Sequence, residues 1–174
     1  MTRLASQAII DAFNNQVGNE LGASNQYVSI GSYFAEENLD ELSKFFFRQA
    51  EEEREHALKF VSFILDVGGH VVMPEIAKPP HEFESAASAV EAALDWEKTV
   101  TQQIYDLVEL CQNERNHIAK RFLDWFVEEQ LEEVSLMDNL LGIVQRAGES
   151  NLLYVEDYLV RHGVEGGGSM EEGA

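Results

Sequence analysis

Glu20, Glu53, Glu97 and Glu133 each stand near the middle of a long segment of helical apolar periodicity, and His56 follows Glu53 by three residues. Carboxylate oxygens with one imidazole suit Fe(II), Mn(II) or Zn(II) rather than a soft metal or a sulfide cluster. A buried carboxylate without a partner costs several kcal/mol or takes up a proton, and four facing one another also repel. No lysine or arginine falls on the same apolar seams, so bound cations are the natural counter-charge. Five ligands shared between two cations leave coordination positions open, as a redox or catalytic centre requires and a closed structural site does not.

The elements that must position these residues read as helices, since no stretch shows the two-residue alternation of a strand. Periodicity places them over Ser6–Glu36, Asp40–Val67, Ser85–Asn113 and Asn116–Ala147, with a short fifth helix over Asn151–Arg161. Asp40 and Ser85 have the type and place of N-caps, and Gly68 and Gly148 of C-terminal stops. Alternating steps of three and four residues give each helix an inward seam. The first reads Ile10, Phe13, Val17, Glu20, Ser24, Tyr27, Gly31, Phe34, and the second Leu42, Phe46, Gln49, Glu53, His56, Phe60, Phe63, Val67. The third carries Val90, Leu94, Glu97, Thr101, Ile104, Val108 and Cys111, and the fourth runs from Ala119 through Phe126, Gln130, Glu133 and Met137 to Ala147. A mid-helix residue stays at mid-height whichever way its helix runs, so the four glutamates share one level.

Turns of a few residues force the first and second helices, and the third and fourth, to be antiparallel pairs. The connection Gly68–Glu84 differs. Its 17 residues reach roughly 55 Å when extended, more than the length of about 42 Å of the helix before it. The fold class expected is therefore all-α: a four-helix bundle with one long crossover plus a short fifth helix.

Composition agrees. Of 174 residues, 45% are hydrophobic, enough for one core, and one domain over residues 1–163 followed by a Gly/Glu-rich tail over 164–174 is the expected organisation. Twelve Lys+Arg against 32 Asp+Glu give a formal charge of −20, which excludes a general nucleic-acid binder. The single cysteine, Cys111, permits no intrachain disulfide. No apolar run approaches the roughly 18 residues of a membrane span, and no secretory signal is evident at the N-terminus. The expectation is a cytoplasmic protein with no membrane partner.

Four segments then carry a resemblance: NELGASNQY at Asn19–Tyr27, AEEEREHA at Ala50–Ala57, LDWEKTVTQQI at Leu94–Ile104 and WFVEEQLEEVSLM at Trp125–Met137. In this order and spacing they resemble the non-haem bacterial ferritins over nearly the whole chain. The resemblance implies iron storage and detoxification by a ferroxidase, which oxidises Fe(II) with O2 or H2O2 and deposits ferric mineral inside a hollow shell of 24 subunits. It implies two irons per subunit, the first at Glu20, Glu53 and His56, the second at Glu97 and Glu133, with Glu53 bridging and Gln130 adjacent. Tyr27 matches a tyrosine beside that centre, as electron donor or hydrogen-bond partner. A third, outer site corresponds to Glu52, Glu129 and Glu132, sharing Glu133.

Departures from related patterns bear on the same points. Arg54 stands where bacterioferritins place the haem-ligating methionine, so no haem is expected. Leu123 and Lys120 replace the two acids that line the three-fold iron channel of animal ferritins, which leaves the iron entry route open. Two rival readings remain at this level: a di-iron oxidase or peroxidase without storage, and a storage shell without catalysis.

Overall fold

The computed structural model describes residues 2–163; the expected tail over 164–174 lies outside the described residues. Four long helices form the bundle: α1 (Gln7–Glu36), α2 (Asp40–Asp66), α3 (Ala86–Asn113) and α4 (His117–Ala147). A 3-10 turn over Glu149–Asn151 leads into α5 (Leu152–His162). The described residues contain no strand, and no helix among them is long and apolar enough to cross a membrane. Each helix begins within two residues of the expected start.

The caps explain most of these boundaries. Ser6 accepts from the Ile9 amide, Asn116 accepts from the Ala119 amide, and Ser85 forms a reciprocal capping box with Ser88. The expectation that Asp40 caps α2 is wrong: Leu39 occupies that position and supplies no side-chain bond. Instead the Glu156 carboxylate of α5 accepts from the Glu41 and Leu42 amides, at 2.7 and 3.0 Å. Asp40 thus sits within the first turn, where its charge still favours the positive helix end. At the other end of α2, Gly68 takes φ +75 and the Gly69 amide donates to Ile64 at 2.8 Å, the left-handed stop that glycine favours.

Both tight hairpin turns use one device. Asn38 (φ 59) and Arg115 (φ 54) adopt the left-handed conformation, and the following amides, Leu39 and Asn116, donate back to Phe34 and Cys111. The long crossover is strapped to α1 in ascending order. Asn14 clamps it by donating to the His70 carbonyl and accepting from the Val72 amide. Pro74 then lies so close to Gly18 that a Cβ there would collide with it, Ser29 donates to the Pro80 carbonyl, and Tyr33 packs on Phe83. The segment therefore traverses the bundle, and α3 starts beside the start of α2 and runs parallel to it.

The apolar interior is divided in two. One block gathers Ile9, Phe13, Val17, Phe60, Ile64, Ile104, Leu107, Leu123 and Phe126; the other gathers Ile30, Phe34, Leu42, Phe46, Val90, Leu140, Val144 and, from α5, Val155 and Leu159. Between them lies the polar layer of the glutamates. The seam of strict three–four steps drifts toward helix ends: Ile64 and Leu107 are buried, whereas Phe63 and Val108 are only partly covered. A straight helix turns 3.6 residues per turn rather than 3.5, so the error accumulates along its length.

Candidate metal centre

Each bundle helix delivers its acid to the layer from a mid-helix position. Glu20 comes from α1, Glu53 and His56 from α2, Glu97 from α3, and Gln130 and Glu133 from α4, and none of these is more than 4% exposed. Their ligand atoms form three groups, each with all members within 4.8 Å: Glu20, Glu53 and His56; Glu53, Glu97 and Glu133; and His56, Glu129 and Glu133. Glu53 belongs to both fully buried carboxylate-bearing triads on either side of it, as a bridging ligand must. His56 Nδ1 stands 3.4 Å from Glu53 Oε2, close to the spacing of about 3 Å between neighbouring ligands bound roughly 2.1 Å from one ion.

Hydrogen bonds orient the set. Tyr27, fully buried, donates its hydroxyl to Glu97 Oε1. Gln130 Nε2 donates to Glu97 Oε2 at 3.1 Å and to the Glu97 carbonyl at 3.2 Å, and also reaches Thr101 Oγ1. Glu20 accepts from Gln16 Nε2 at 2.9 Å. Glu133 Oε2 is buried with no hydrogen-bond partner among the described residues, an acceptor whose desolvation is offset only by a cation or a proton.

Electrostatics follows from burial. Desolvation raises the carboxyl pKa of Glu20, and raises those of Glu53 and Glu133 further because the Glu97 charge adds to it. Glu97 is pushed up to about 7 by desolvation, against the bonds from Tyr27 and Gln130 that lower it. For His56 burial acts to lower the pKa, but hydrogen bonds to Glu129 and Glu53 override it and lift the imidazole to about 11. The Tyr27 phenol is held well above its ordinary value by burial and by the neighbouring carboxylates, so it stays a proton donor toward Glu97. The layer is thus a concentration of anionic oxygen that either retains protons or takes up cations.

The outer residues are arranged less tightly. Glu129 Oε1 lies 3.7 Å from His56 Nε2 and joins Glu133, whereas Glu52 is engaged by Gln49, and Glu132 is exposed. Neither Glu52 nor Glu132 enters a ligand group among the described residues. Trp125 packs edge-on to His56 at 5.3 Å, with the Lys59 ammonium 4.2 Å from its ring centre. Cys111 is buried core, as its seam position implies. Gln16 escaped the seam reading because it lies one step off the inward row; its signal was the four-residue spacing to Glu20, which places the two side chains on one helical face.

The fold and its mid-height layer define a helical-bundle metal-carboxylate protein, with Glu-x-x-His on one helix and single acids on the other three. Residues 10–147 match the model of the ferritin-like domain. The chain is 40% identical to ferritin BfrB of Mycolicibacterium smegmatis over 147 residues, 84% of this chain and 81% of that one. It is 33% identical to a bacterial non-heme ferritin of Staphylococcus epidermidis, covering 87% and 92% of the two chains. Among solved structures it is similar to an open-pore ferritin of the archaeon Archaeoglobus fulgidus, with 30% identity and a TM-score of 0.88 over 91% of this chain and 98% of that one. The chain belongs to the ferritin family. It is an iron-storage ferroxidase that oxidises Fe(II) to Fe(III) and assembles into a multimeric shell.

Proposed function

We propose that two Fe(II) ions bind in the polar layer, one held by Glu20, Glu53 and His56 and the other by Glu53, Glu97 and Glu133. The observation that carries this assignment is the membership of Glu53 in both buried triads. Gln130 and Tyr27 flank the second iron by holding Glu97. Each Fe(II) gives up one electron: with dioxygen and two protons the products are two Fe(III) and H2O2, and with H2O2 and two protons they are two Fe(III) and two waters. Anionic oxygen ligands favour the harder ferric ion, which supplies the direction. Cation binding displaces protons retained by the layer, so iron uptake weakens as pH falls.

Glu52, Glu129 and Glu132 form an outer station on the way from the centre, sharing Glu133. The proximity of Glu129 to both His56 and Glu133 supports that order, and the exposure of Glu52 and Glu132 suits an exit. The shell has 24 subunits in this reading, bringing together several hundred negative charges that concentrate cations around it. It works in the cytoplasm, in keeping with a single, buried cysteine.

Stopped-flow absorbance on the assembled protein, mixed with two Fe(II) per chain, tests the assignment. Glu53→Ala is expected to eliminate the fast phase, because it removes a ligand from both irons, while leaving the shell assembled. Unaltered fast oxidation in that variant would refute the bridging role.

A further inference from the structure

Glu20 and Glu97, two ligands of the layer, sit on different helices, yet each is met by a primary amide. Gln130 of α4 donates to Glu97 and is itself steadied by Thr101 of α3. Likewise Gln16 of α1 donates to Glu20 Oε1 at 2.9 Å and reaches Gln103 Oε1 of α3 at 3.4 Å, while its own Oε1 accepts from Asn19 Nδ2 at 2.9 Å. Both ends of the Gln16 amide are therefore engaged, and the residue is 2% exposed. An amide anchored at both ends does not rotate away when Glu20 changes partner. Its N–H holds Glu20 Oε1, and the same carboxylate offers a ligand atom within 4.8 Å of those of Glu53 and His56.

Resting on the iron assignment above, we infer that Gln16 is a positioning residue for the first iron site, the counterpart of Gln130 at the second. Asn19 and Gln103 hold Gln16 in place, so Glu20 is presented in a ligating orientation before iron arrives. Outer partners of this kind set ligand orientation and basicity, and their removal generally costs about 10- to 100-fold in metal affinity. The effect belongs to one site of the two, because Gln16 makes no contact with Glu97 or Glu133 among its hydrogen bonds.

Zn(II), which binds without oxidation, is the probe. Assembled wild-type protein, Gln16→Leu and Gln130→Leu are each titrated calorimetrically with Zn(II), and crystals soaked at limiting Zn(II) are measured at the zinc absorption edge. Gln16→Leu is expected to lower affinity about 10- to 100-fold at the triad containing His56 and to leave the Glu97–Glu133 site within about twofold; Gln130→Leu is expected to do the reverse. Should Gln16→Leu fail to assemble, Asn19→Ala keeps the Gln16 amide but frees its carbonyl and should weaken the same site by a smaller factor. Equal weakening of both sites in Gln16→Leu, or unchanged occupancy of both, would overturn the inference while leaving the iron assignment intact. Absence of Zn(II) from both triads in the wild type would instead overturn the assignment itself.

Discussion

On one side of the carboxylate layer the core is closed by its own rings. Phe13, Phe60, Phe63, Phe122 and Phe126 pack edge and face, with Phe60–Phe126 centroids at 4.4 Å and Phe63–Phe122 stacked at 4.3 Å. The N-terminal segment seals that end, because the Leu4 amide donates to the Val67 carbonyl and Asn116 donates to the Leu4 carbonyl. On the other side Phe34 and Phe46 stack at 5.6 Å, but closure depends on Val155 and Leu159 of α5. Carboxylates from beyond α4 also serve there as remote caps, Glu156 for α2 and Glu149 for the Ala86 and Ala87 amides of α3. One half is therefore self-sufficient, and the other is finished only when α5 docks. The contrast places α5, with Leu153, Tyr154 and Val160 still exposed, where association of subunits and stability of the bundle meet.

The largest expected effect falls on the self-closed half. Phe60→Ala should destabilise by about 3–5 kcal/mol, read as a lowered midpoint in denaturant unfolding, because its ring is enclosed by others that cannot collapse into the space. A change of similar size at Val155 would erase the distinction between the halves. Next comes the boundary between them, assayed in chelator. Its carboxyl groups keep protons in the folded state that the unfolded chain loses from about pH 4.5 upward, with Glu97 titrating at about 7. His56 adds stability that is complete below its ordinary 6.5 and lost toward about 11. Both act in one direction, so the unfolding temperature should fall between pH 5 and pH 8, and Zn(II) should restore more at pH 8 than at pH 5. A rise over that range would contradict the burial of the layer.

Smaller changes sharpen the picture. Glu156→Gln should cost about 1–2 kcal/mol, since a charged acceptor for two amides becomes a neutral one. Hydrogen exchange should quicken at the Glu41 and Leu42 amides and along α5, with the Phe13–Phe60 end unaffected. Smallest is Arg115→Gly in the α3–α4 turn. Relief of the left-handed strain on a side-chain-bearing residue should stabilise by about 1 kcal/mol or less, seen as a small rise in melting temperature. Because Asn38 tolerates that conformation better than arginine, Asn38→Gly in the opposite turn should gain still less.

Periodicity and a few glycines made the four helices, the crossover and the acid layer legible, because local spacing determines which residues share a helical face. Glu20, Glu53, His56, Glu97 and Glu133 could be located in that way, as could Gln130 and Tyr27, whose roles the resemblance supplied. What escaped the sequence was non-local. Asp40 has the right type for a cap, but the carboxylate that bonds the α2 amides comes from residue 156, over a hundred positions away in the chain. Gln16 lies off the strict seam although its amide meets Glu20, and Ile64 and Leu107 take the inward places toward which a 3.6-residue helix rotates. The outer acids Glu52 and Glu132 show another limit: the resemblance places them at a site, while in the fold their side chains face solvent or a neighbouring amide.

The strap that crosses the bundle touches α1 at each of its described anchor points, from Asn14 through Gly18 and Ser29 to Tyr33. All of the residues that make those anchors precede the first residue of α3 in the chain. A nascent chain can therefore lay the strap onto the finished α1–α2 hairpin while its second half is still being made, as N-terminal portions fold first when their contacts are local. The path of the strap thereby sets the order of assembly. It measures out the bundle's length on the first hairpin and releases α3 at the correct end, pointing the correct way, so that the last helices arrive with their four-acid layer already in register.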